Sequence, residues 1–599
     1  MQEVQASYNL LDEPWIPVVD TISGTIEELG IIDVLARSAS LAGISDPSPA
    51  FEFGMYRFLE AFIMDAFGIQ TIEQIKELLA AKEFDGSTIQ SYIVKWRNHF
   101  NLFDADYPFY QVPAKSAEDK AITESSVKKK RGGKKKEMNG HKPVANLFYH
   151  LPSGSQPYHF FHMMEEEHAI SPAVCARALC SIPPFLPIGG RGYPASINGA
   201  PPWYVLVKGT SLFETLVLNL PQAVPGNTGT EPAAWKLEKE PQEEEIKVVS
   251  TIQGFTWQPR RVHLVPANNG TCSYSNSDSL VLIREMVYDP AWKMKGEWTD
   301  PNVAYMFRGK KRDPLRPQKD RELWRDYGPL MLLRKDTYMS SKKVMYEKPA
   351  VVAQAEIIRK ESPDAKKTPL VVEVYGLRTR QKKIFEWQHE ILSLKPELVN
   401  NKLAAYEMQW AMDLASDGEY AIKKALRLLY PPSGRKSNKK AFDTVFNGAK
   451  QQYWDRLKVV YERDFIGQII AMDQDDPNAA GKIRAWWVET IADIGGKELY
   501  KAIGPLNTNA AFLQRQVDAR KNFYRFVGSK RKSLQPISSK SSGPAKKKGN
   551  SDSPKRVTKK AKRAGSVTTT AAPEPTVPVK RTAKRPPETG SLDDFIRRK

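Results

Sequence analysis

The spacing of apolar residues changes near residue 394, and this change does most to limit how the chain can fold. Upstream of it, short β-branched runs are mixed with helical segments, and Pro and Gly interrupt both kinds often. The strand-like runs include Trp203–Val207, Leu280–Ile283 and Leu370–Tyr375. They do not alternate regularly with helices, as the strands of a doubly wound parallel sheet would. The sequence therefore predicts a large mixed α+β domain over residues 1–393.

Downstream of residue 394, apolar residues recur every three or four positions, which is typical of amphipathic helices. Leu403–Ala415 and Ala421–Leu429 show this spacing clearly, and Pro431-Pro-Ser-Gly434 interrupts it. Further helical stretches follow near 441–470, 478–502 and 508–527. Helices joined by such short breaks predict an antiparallel four-helix bundle over residues 394–527.

The positive charge is concentrated in two segments. The 599-residue chain has a net charge of +20, but residues 528–599 alone contain 20 Lys/Arg against five Asp/Glu. This segment has too few large apolar residues to offset its ordering entropy, so we expect a disordered basic tail. The second segment holds Lys128, Lys129, Lys130, Arg131, Lys134, Lys135 and Lys136. Such segments bind polyphosphate backbones non-specifically, and a role in solubility or localisation is the alternative.

The composition argues against several classes of protein. No run of eighteen apolar residues occurs, and the N-terminus lacks an apolar signal core, so we expect neither a membrane span nor secretion. Three cysteines, Cys175, Cys180 and Cys272, are too few for a disulfide framework or a four-cysteine zinc site. Cys175 and Cys180 stand among small apolar residues, which predicts that they are buried. A cytoplasmic protein fits best.

Motifs of catalysis are missing from the sequence. It has no phosphate-binding P-loop, no His-Glu-x-x-His pair and no Gly-x-Ser-x-Gly elbow. The best cluster of metal-ligand types is His159, His162 and His168 with three glutamates between them. On a helix His168 would lie about half a turn round from His159, so convergence on a metal requires a loop. We expect a polar surface segment, no catalysis and no cofactor; a metal-dependent nuclease or hydrolase is the alternative.

Two loops are candidates for contact with nucleic acid. In Ile188-Gly-Gly-Arg-Gly192 the glycines would let the backbone approach a groove closely while Arg191 supplies charge. In Tyr375–Lys383, a strand-like run is followed by Arg, Gln and Lys, whose side chains reach base edges and phosphates. Taken alone, each loop has a simpler reading as a flexible turn or a solvated face.

Four other segments are distinctive: Asn9–Val18 (NLLDEPWIPV), Phe100–Gln111 (FNLFDADYPFYQ), Ser196–Pro202 (SINGAPP) and Gly254–Arg261 (GFTWQPRR). In this order they resemble the CasA family, the large subunits of the Cascade surveillance complex in type I-E CRISPR systems. The resemblance extends over residues 8–527. It implies a non-catalytic subunit that reads the protospacer-adjacent motif (PAM) of double-stranded DNA through the minor groove. It also implies that this subunit starts strand separation, so that guide RNA can pair.

The resemblance further implies which residues would touch DNA. They are Gly189, Gly190, Arg191 and Gly192 of a glycine loop, Arg380, Gln381 and Lys382 of a glutamine wedge, and Arg284 in place of a lysine finger. The basic residues beside Gln381 depart from the small or amide-bearing residues of the family, so no particular PAM is implied. A loop that contacts the RNA-handle end of the complex falls at Phe148, Tyr149 and His150.

The implied partners are a double-stranded DNA target, the crRNA-containing backbone, small and handle-binding subunits of Cascade, and a recruited helicase-nuclease. Clustered cations in the bundle would help to hold a DNA strand; they are Lys423, Lys424, Arg427, Arg515, Arg520 and Arg525. An ordinary solvated bundle face is the alternative there. For the whole chain, a generic basic DNA-binding scaffold without motif preference is a further alternative.

The last residues depart from the low complexity of the tail. Thr589–Ile596 resembles the sliding-clamp-binding peptide of archaeal replication proteins, although a leading glutamine and a second aromatic residue are replaced. Leu592, Phe595 and Ile596 have the three- and four-residue spacing with which one helical turn would fill a clamp pocket. A short docking helix or a plain disordered end is the alternative.

Overall fold

The computed structural model describes residues 6–534 apart from 115–140, 149–167, 188–191, 243, 341–342, 381–382, 432–435, 474–475 and 506–508. The basic segment at 128–136 and the end of the chain with Leu592, Phe595 and Ile596 lie outside the described residues. The predictions for those two segments therefore stay predictions.

The described part is α+β, as predicted. Its helices are α1 (Ile31–Arg37), α2 (Pro49–Phe67), α3 (Ile72–Ala81), α4 (Gly86–Trp96), α5 (Pro172–Phe185), α6 (Leu212–Asn219), α7 (Thr251–Phe255), α8 (Ala350–Glu361), α9 (Lys402–Leu429), α10 (Lys436–Val460), α11 (Ile466–Ile470), α12 (Ala479–Ile503) and α13 (Ala510–Leu534). Its strands are β1 (Ile16–Asp20), β2 (Ile26–Leu29), β3 (Leu41–Ile44), β4 (Lys142–Pro143), β5 (Tyr204–Val207), β6 (Glu245–Ile246), β7 (Arg260–Ala267), β8 (Gly270–Thr271), β9 (Asp278–Ser279), β10 (Leu282–Pro290), β11 (Lys293–Met294), β12 (Tyr305–Arg308), β13 (Lys311–Pro314), β14 (Val344–Glu347), β15 (Leu370–Arg380) and β16 (Lys383–Leu394).

The strands form small sheets rather than one large one. The three-stranded sheets have the orders β2-β1-β3, β4-β10-β7, β13-β12-β14 and β16-β15-β5, and their strands pair antiparallel. Two-stranded pairs, β11-β6 and β8-β9, complete the described strands. This arrangement agrees with the irregular mixture of strand-like and helical segments that the sequence shows.

Helix α2 lies at the centre of the N-terminal part. It begins with Pro49 at its first turn, where a missing N–H costs nothing, and ends at Gly68 in the left-handed conformation. Residues 50–64 are all buried, which is expected of a helix surrounded by other elements. Gly54 allows α5 to approach closely, because a Cβ there would lie 2.7 Å from the Cys180 carbonyl oxygen. The central helix nevertheless carries Glu52, Arg57 and Glu60, which need buried partners.

Helices α9, α10, α12 and α13 form the predicted bundle, but its core does not stop at residue 394. One buried cluster joins bundle residues such as Trp487 and Phe523 to Trp203, Leu330 and Val352 of the preceding part. Residues 1–535 accordingly form one compact unit. Position 394 is where strands give way to long helices, and packing continues across it. The last helix also extends beyond the predicted end at 527, to Leu534.

The structure also bears on the expected burial of the cysteines and the expected lack of a membrane span. Cys175, Cys180 and Cys272 are all buried and unpaired, which confirms the prediction for the first two. Burial raises the pKa of the Cys175 and Cys180 thiols, so these side chains behave as small apolar groups. Within the described ranges, every helix is too short or too polar to span a membrane.

Candidate nucleic-acid interface

In the sequence, the candidate wedge connects β15 and β16, which form the longest hairpin among the described residues. The two strands pair from Leu370 and Leu394 at the base to Arg380 and Lys383 at the far end. Gln381 and Lys382 connect them and lie outside the described residues. Residues 372–377 are buried, whereas Arg378 and Thr379 are only half-buried, so the hairpin extends beyond the core. A register shift between Arg378 and Thr379 adds local twist there.

The middle of this hairpin is fastened to α2 through one tyrosine. The Tyr375 hydroxyl lies 2.6 Å from Glu52 and 2.7 Å from Glu373, and Lys208 contacts Glu373 at 3.2 Å. A hydroxyl has one hydrogen to donate, so it can satisfy only one carboxylate, and the other contact requires a protonated carboxyl group. Burial, aided by the nearby charge of Glu373, raises the pKa of Glu52 to about 7 and favours that proton.

His389 completes a group of residue types that could hold a metal. Its ring stacks on Tyr375 with centroids 4.4 Å apart, and burial lowers its pKa. One ligand atom from each of Glu52, Glu373 and His389 lies within 4.8 Å of the others. The carboxylates are already engaged by Tyr375 and Lys208, so we interpret the group as a polar anchor for the hairpin and assign no metal to it.

The chain that leads into the candidate glycine loop lies beside the hairpin. The first residues of the loop, 188–191 with Gly189, Gly190 and Arg191, lie outside the described residues. Phe185, the last residue of α5 before the loop, packs edge-on against Trp387 of β16 at 5.4 Å between ring centroids. The Ser196 N–H donates to the Leu186 carbonyl at 3.1 Å and closes the base of the loop. The chain therefore emerges towards the loop in direct contact with the hairpin strand.

The loop ends on the sheet that carries Arg284. Gly192 is exposed with φ +90°, a backbone conformation that favours glycine. The adjacent Tyr193 hydroxyl accepts a 2.8 Å hydrogen bond from Lys142 of β4, which pairs with β10. Arg284 lies on β10 at a register shift between Ile283 and Glu285, and it is exposed. Bulges re-aim side chains in this way, so Arg284 is available as a surface cation.

The remaining predicted residues differ in their placement. Phe148 is buried against Phe51 and Tyr274, with ring centroids 5.7 and 6.0 Å away, so it would anchor the handle-contact segment rather than make the contact. Tyr149, His150, His159 and His162 lie outside the described residues. His168 is half-buried. The polar surface segment expected at these histidines therefore stays a prediction.

Half of the predicted bundle cations pack on aromatic rings. The Arg427 guanidinium lies 3.5 Å from the Phe442 ring centroid, Lys423 lies 5.4 Å from Phe446, and Arg520 lies 4.6 Å from Tyr500. These contacts stabilise the bundle whatever else the side chains do. Lys424, Arg515 and Arg525 are exposed and form the better candidates for a strand contact.

Sequence reasoning missed the buried ion pair that supports the loop. Arg57 of α2 contacts Asp300 at 3.0 Å, and both side chains are at most 3% exposed. Asp300 also accepts a 2.8 Å hydrogen bond from Asn198, inside the SINGAPP segment that follows the loop. Arg57 and Asp300 are 243 positions apart, so no local pattern relates them. The only signal was the distinctive segment around Asn198.

Comparisons by family model, by sequence and by structure all match this chain to the same kind of protein. Residues 9–495 match the family model described as CRISPR-associated protein Cse1. A curated CasA/Cse1 protein of Thermus thermophilus is 27% identical over 432 residues, which cover 69% of this chain and 76% of that protein. A crystal structure of Thermus thermophilus CasA has a TM-score of 0.63 at 22% identity, covering 88% of this chain and 100% of the other.

Two other solved structures share the fold at lower identity. Cse1 of Acidimicrobium ferrooxidans has a TM-score of 0.61 at 19% identity, with 89% of this chain and 100% of that chain covered. A chain in a structure described as a CRISPR RNA-guided surveillance complex has a TM-score of 0.62 at 16% identity, with 88% and 99% covered.

Proposed function

Because the chain belongs to the CRISPR-associated protein Cse1 family, we propose that it is the DNA-recognition subunit of an RNA-guided Cascade complex. In this role it reads the PAM of double-stranded DNA through the minor groove and starts strand separation. The observation that supports the proposal most directly is the contact between Phe185, at the end of the helix that leads into the candidate glycine loop, and Trp387, on a strand of the candidate wedge hairpin.

The glycine loop and Arg284 are suited to docking on a duplex. A loop of glycines brings backbone N–H groups close to a groove without side-chain clashes, and an exposed arginine adds attraction to phosphates. Minor-groove edges distinguish A·T from G·C pairs but little else, so such a reader tolerates several related motifs. Lys142 holds the loop end against the sheet of Arg284, which supports their acting together.

The hairpin is suited to the step after docking. Parting one base-pair step forfeits about 1–2 kcal/mol of stacking, which a side chain inserted beside the PAM can offset. An inserted side chain needs a stiff support, and β15 and β16 provide it through their long ladder and the Tyr375–Glu52 contact. Exchange of DNA pairing for RNA–DNA pairing then has little net cost, so no hydrolysis is required.

The partners follow from the same proposal. The chain would assemble with crRNA-containing subunits in the cytoplasm and leave cleavage to a recruited helicase-nuclease. The exposed bundle cations Lys424, Arg515 and Arg525 would help to hold a DNA strand or a neighbouring subunit. No catalytic role is assigned to the chain, which agrees with the missing catalytic motifs in its sequence.

A library of duplexes with randomised bases beside the target tests the proposal. Binding and hybrid formation are measured for the guide-RNA complex with and without this chain. We expect a restricted set of flanking motifs to be enriched only when the chain is present. Equal enrichment of all motifs would instead indicate a generic scaffold, and metal-stimulated cleavage by the chain alone would favour the histidine-cluster nuclease.

A further inference from the structure

A cavity of about 170 Å³ lies where three parts of the chain meet, apart from the residues of the candidate nucleic-acid interface. Residues 106–113 and 234–241 form two of its sides, and His99 and Gln258 contribute from neighbouring elements. Two of the distinctive segments, FNLFDADYPFYQ and GFTWQPRR, both reach this cavity. The proposed DNA role does not use it.

Aromatic rings in fixed positions form one side of the cavity. The Tyr107 and His99 rings are stacked with centroids 4.3 Å apart. The Trp235 carbonyl lies 2.5 Å from His99 Nδ1, and because a carbonyl only accepts, that nitrogen carries the hydrogen. Tyr110 adopts φ +54°, a costly conformation for a non-glycine residue of the kind that clusters at binding sites.

A buried acceptor without a donor lies in the lining. The Gln258 side chain is only 2% exposed, and its amide nitrogen donates to the Thr256 carbonyl at 3.2 Å. This bond fixes the orientation of the amide. Its Oε1 atom is buried and has no hydrogen-bond partner among the residues that the structure describes. Such an acceptor is costly to leave unpaired, so a ligand with N–H groups would be favoured there.

The charges around the cavity indicate the sign of the ligand. Three carboxylates, from Asp106, Glu238 and Glu240, line it against one cation, Lys239. Glu240 is already paired with Arg261 at 2.8 Å, whereas Asp106 and Glu238 are exposed. A negative lining repels phosphate groups, so this cavity does not fit a nucleic-acid backbone.

We propose that this cavity binds an arginine side chain projecting from a partner protein. A guanidinium group is planar, positively charged and rich in N–H donors. It would stack on the His99–Tyr107 rings, donate to Gln258 Oε1 and be attracted by Asp106 and Glu238. The inference rests on the proposed function only for the partner's identity, which would be another subunit of the complex.

Saturation-transfer NMR on the full-length chain tests the pocket, with acetyl-arginine amide as the probe. Acetyl-citrulline amide is the control, because it has a similar shape and no charge. We expect saturable binding of the arginine probe and at least about tenfold weaker binding of the citrulline probe. Equal binding of the two probes, or displacement of the arginine probe by a nucleoside monophosphate, would overturn the assignment.

Variants separate the pocket from general effects on the fold. Gln258→Leu and the double variant Asp106→Asn/Glu238→Gln should each weaken the arginine probe about tenfold. Glu77→Gln neutralises an exposed carboxylate on α3 and should change nothing. The thermal midpoints should match the wild type; binding that both pocket variants retain would refute the proposal. If the wild-type chain gave no PAM selectivity in the duplex library, the DNA role would be refuted, but binding of the arginine probe to the cavity would be unaffected.

Discussion

The Tyr375 hydroxyl lies 2.6 Å from a carboxylate oxygen of Glu52, and this contact joins the middle of the long hairpin to the central helix. The hydroxyl also lies 2.7 Å from Glu373, so a proton on Glu52 lets all three groups be satisfied at once. Protonation of one buried carboxyl group is therefore coupled to how firmly the candidate wedge is held.

This coupling predicts a stability that falls as the pH rises. The pKa of Glu52 is raised from 4.5 to about 7 in the folded chain, so its favourable contribution is complete below pH 4.5. We expect that contribution, on the order of 3 kcal/mol, to be lost as the pH rises through 7. Glu60, whose pKa burial raises to about 8, acts in the same direction.

Thermal midpoints between pH 5 and 8 measure this effect. The Glu52→Gln variant mimics the protonated carboxyl group and should show a flatter dependence than the wild type. Glu77→Gln, on the exposed face of α3, should keep the wild-type dependence. If the Glu52 variant and the wild type have the same slope, the carboxyl group does not titrate as described.

The Arg57–Asp300 pair predicts a large loss of stability on truncation. Asp300→Ala leaves the buried Arg57 guanidinium without its nearest carboxylate and with only Glu60, 3.9 Å away, at a cost of about 3–5 kcal/mol. Denaturant unfolding should report this loss. The double variant Arg57→Met/Asp300→Ala should recover part of it, because the buried guanidinium is then gone and Glu60 beside it, whose pKa burial raises to about 8, is protonated at neutral pH. Additive losses from the two single changes would show that the unpaired charge is not the cause.

Local sequence patterns predicted which segments form helices or strands better than they predicted which segments contact each other. The apolar spacing of Ala421–Leu429 depends only on neighbouring turns of one helix, so the sequence predicted this helix of the bundle correctly. The Phe185–Trp387 contact joins residues far apart in the sequence, so periodicity gives no sign of it. The same holds for the buried cluster that Trp203 and Trp487 share across residue 394.

The four segments that carry the family resemblance contain buried residues, and they do not contain the residues expected to contact DNA. Trp15 of NLLDEPWIPV is fully buried and donates from its indole to the Leu10 carbonyl at 2.9 Å. Gly254 of GFTWQPRR lies against Trp298, where a Cβ would come within 2.0 Å of the ring. Both residues therefore contribute to packing in the core. The residues expected to touch DNA at the PAM all lie outside these four segments, where sequence alone gives a weaker signal.

Gln381→Ala should impair duplex opening more than duplex docking. The wedge acts after groove contact, and loss of about 1.4 kcal/mol at one step slows hybrid formation roughly tenfold. Stopped-flow measurement with a fluorescent base beside the PAM separates opening from docking. Gln318→Ala removes an exposed amide elsewhere and should have no effect.

Gly190→Asp, in contrast, should weaken docking itself through crowding and charge. Wild-type rates of docking and opening in both the Gln381 and the Gly190 variants would contradict the assignment of these residues to the DNA-binding site.

Arg284→Gln should weaken docking on all duplexes to a similar extent. The exposed side chain is proposed to contact a phosphate, so its loss should reduce the slope of log affinity against log salt by about one. Lys366→Gln, which removes an exposed charge elsewhere, provides the control. A change in motif preference without a change in slope would instead place Arg284 on a base edge.

Deletion of residues 536–599 should leave the fold intact and weaken non-specific DNA binding. The compact unit ends at Gln535, so the thermal midpoint should not change. The deleted segment contains seventeen Lys/Arg and five Asp/Glu, and its cations would displace condensed counterions on binding. Affinity for random duplex should therefore fall and depend less steeply on salt, while the PAM preference of the assembled complex persists.

A replacement tail of equal length with these cations changed to Gln separates the effect of charge from the effect of length. If that neutral tail restores the wild-type salt slope, counterion displacement by the tail is not the source of the binding.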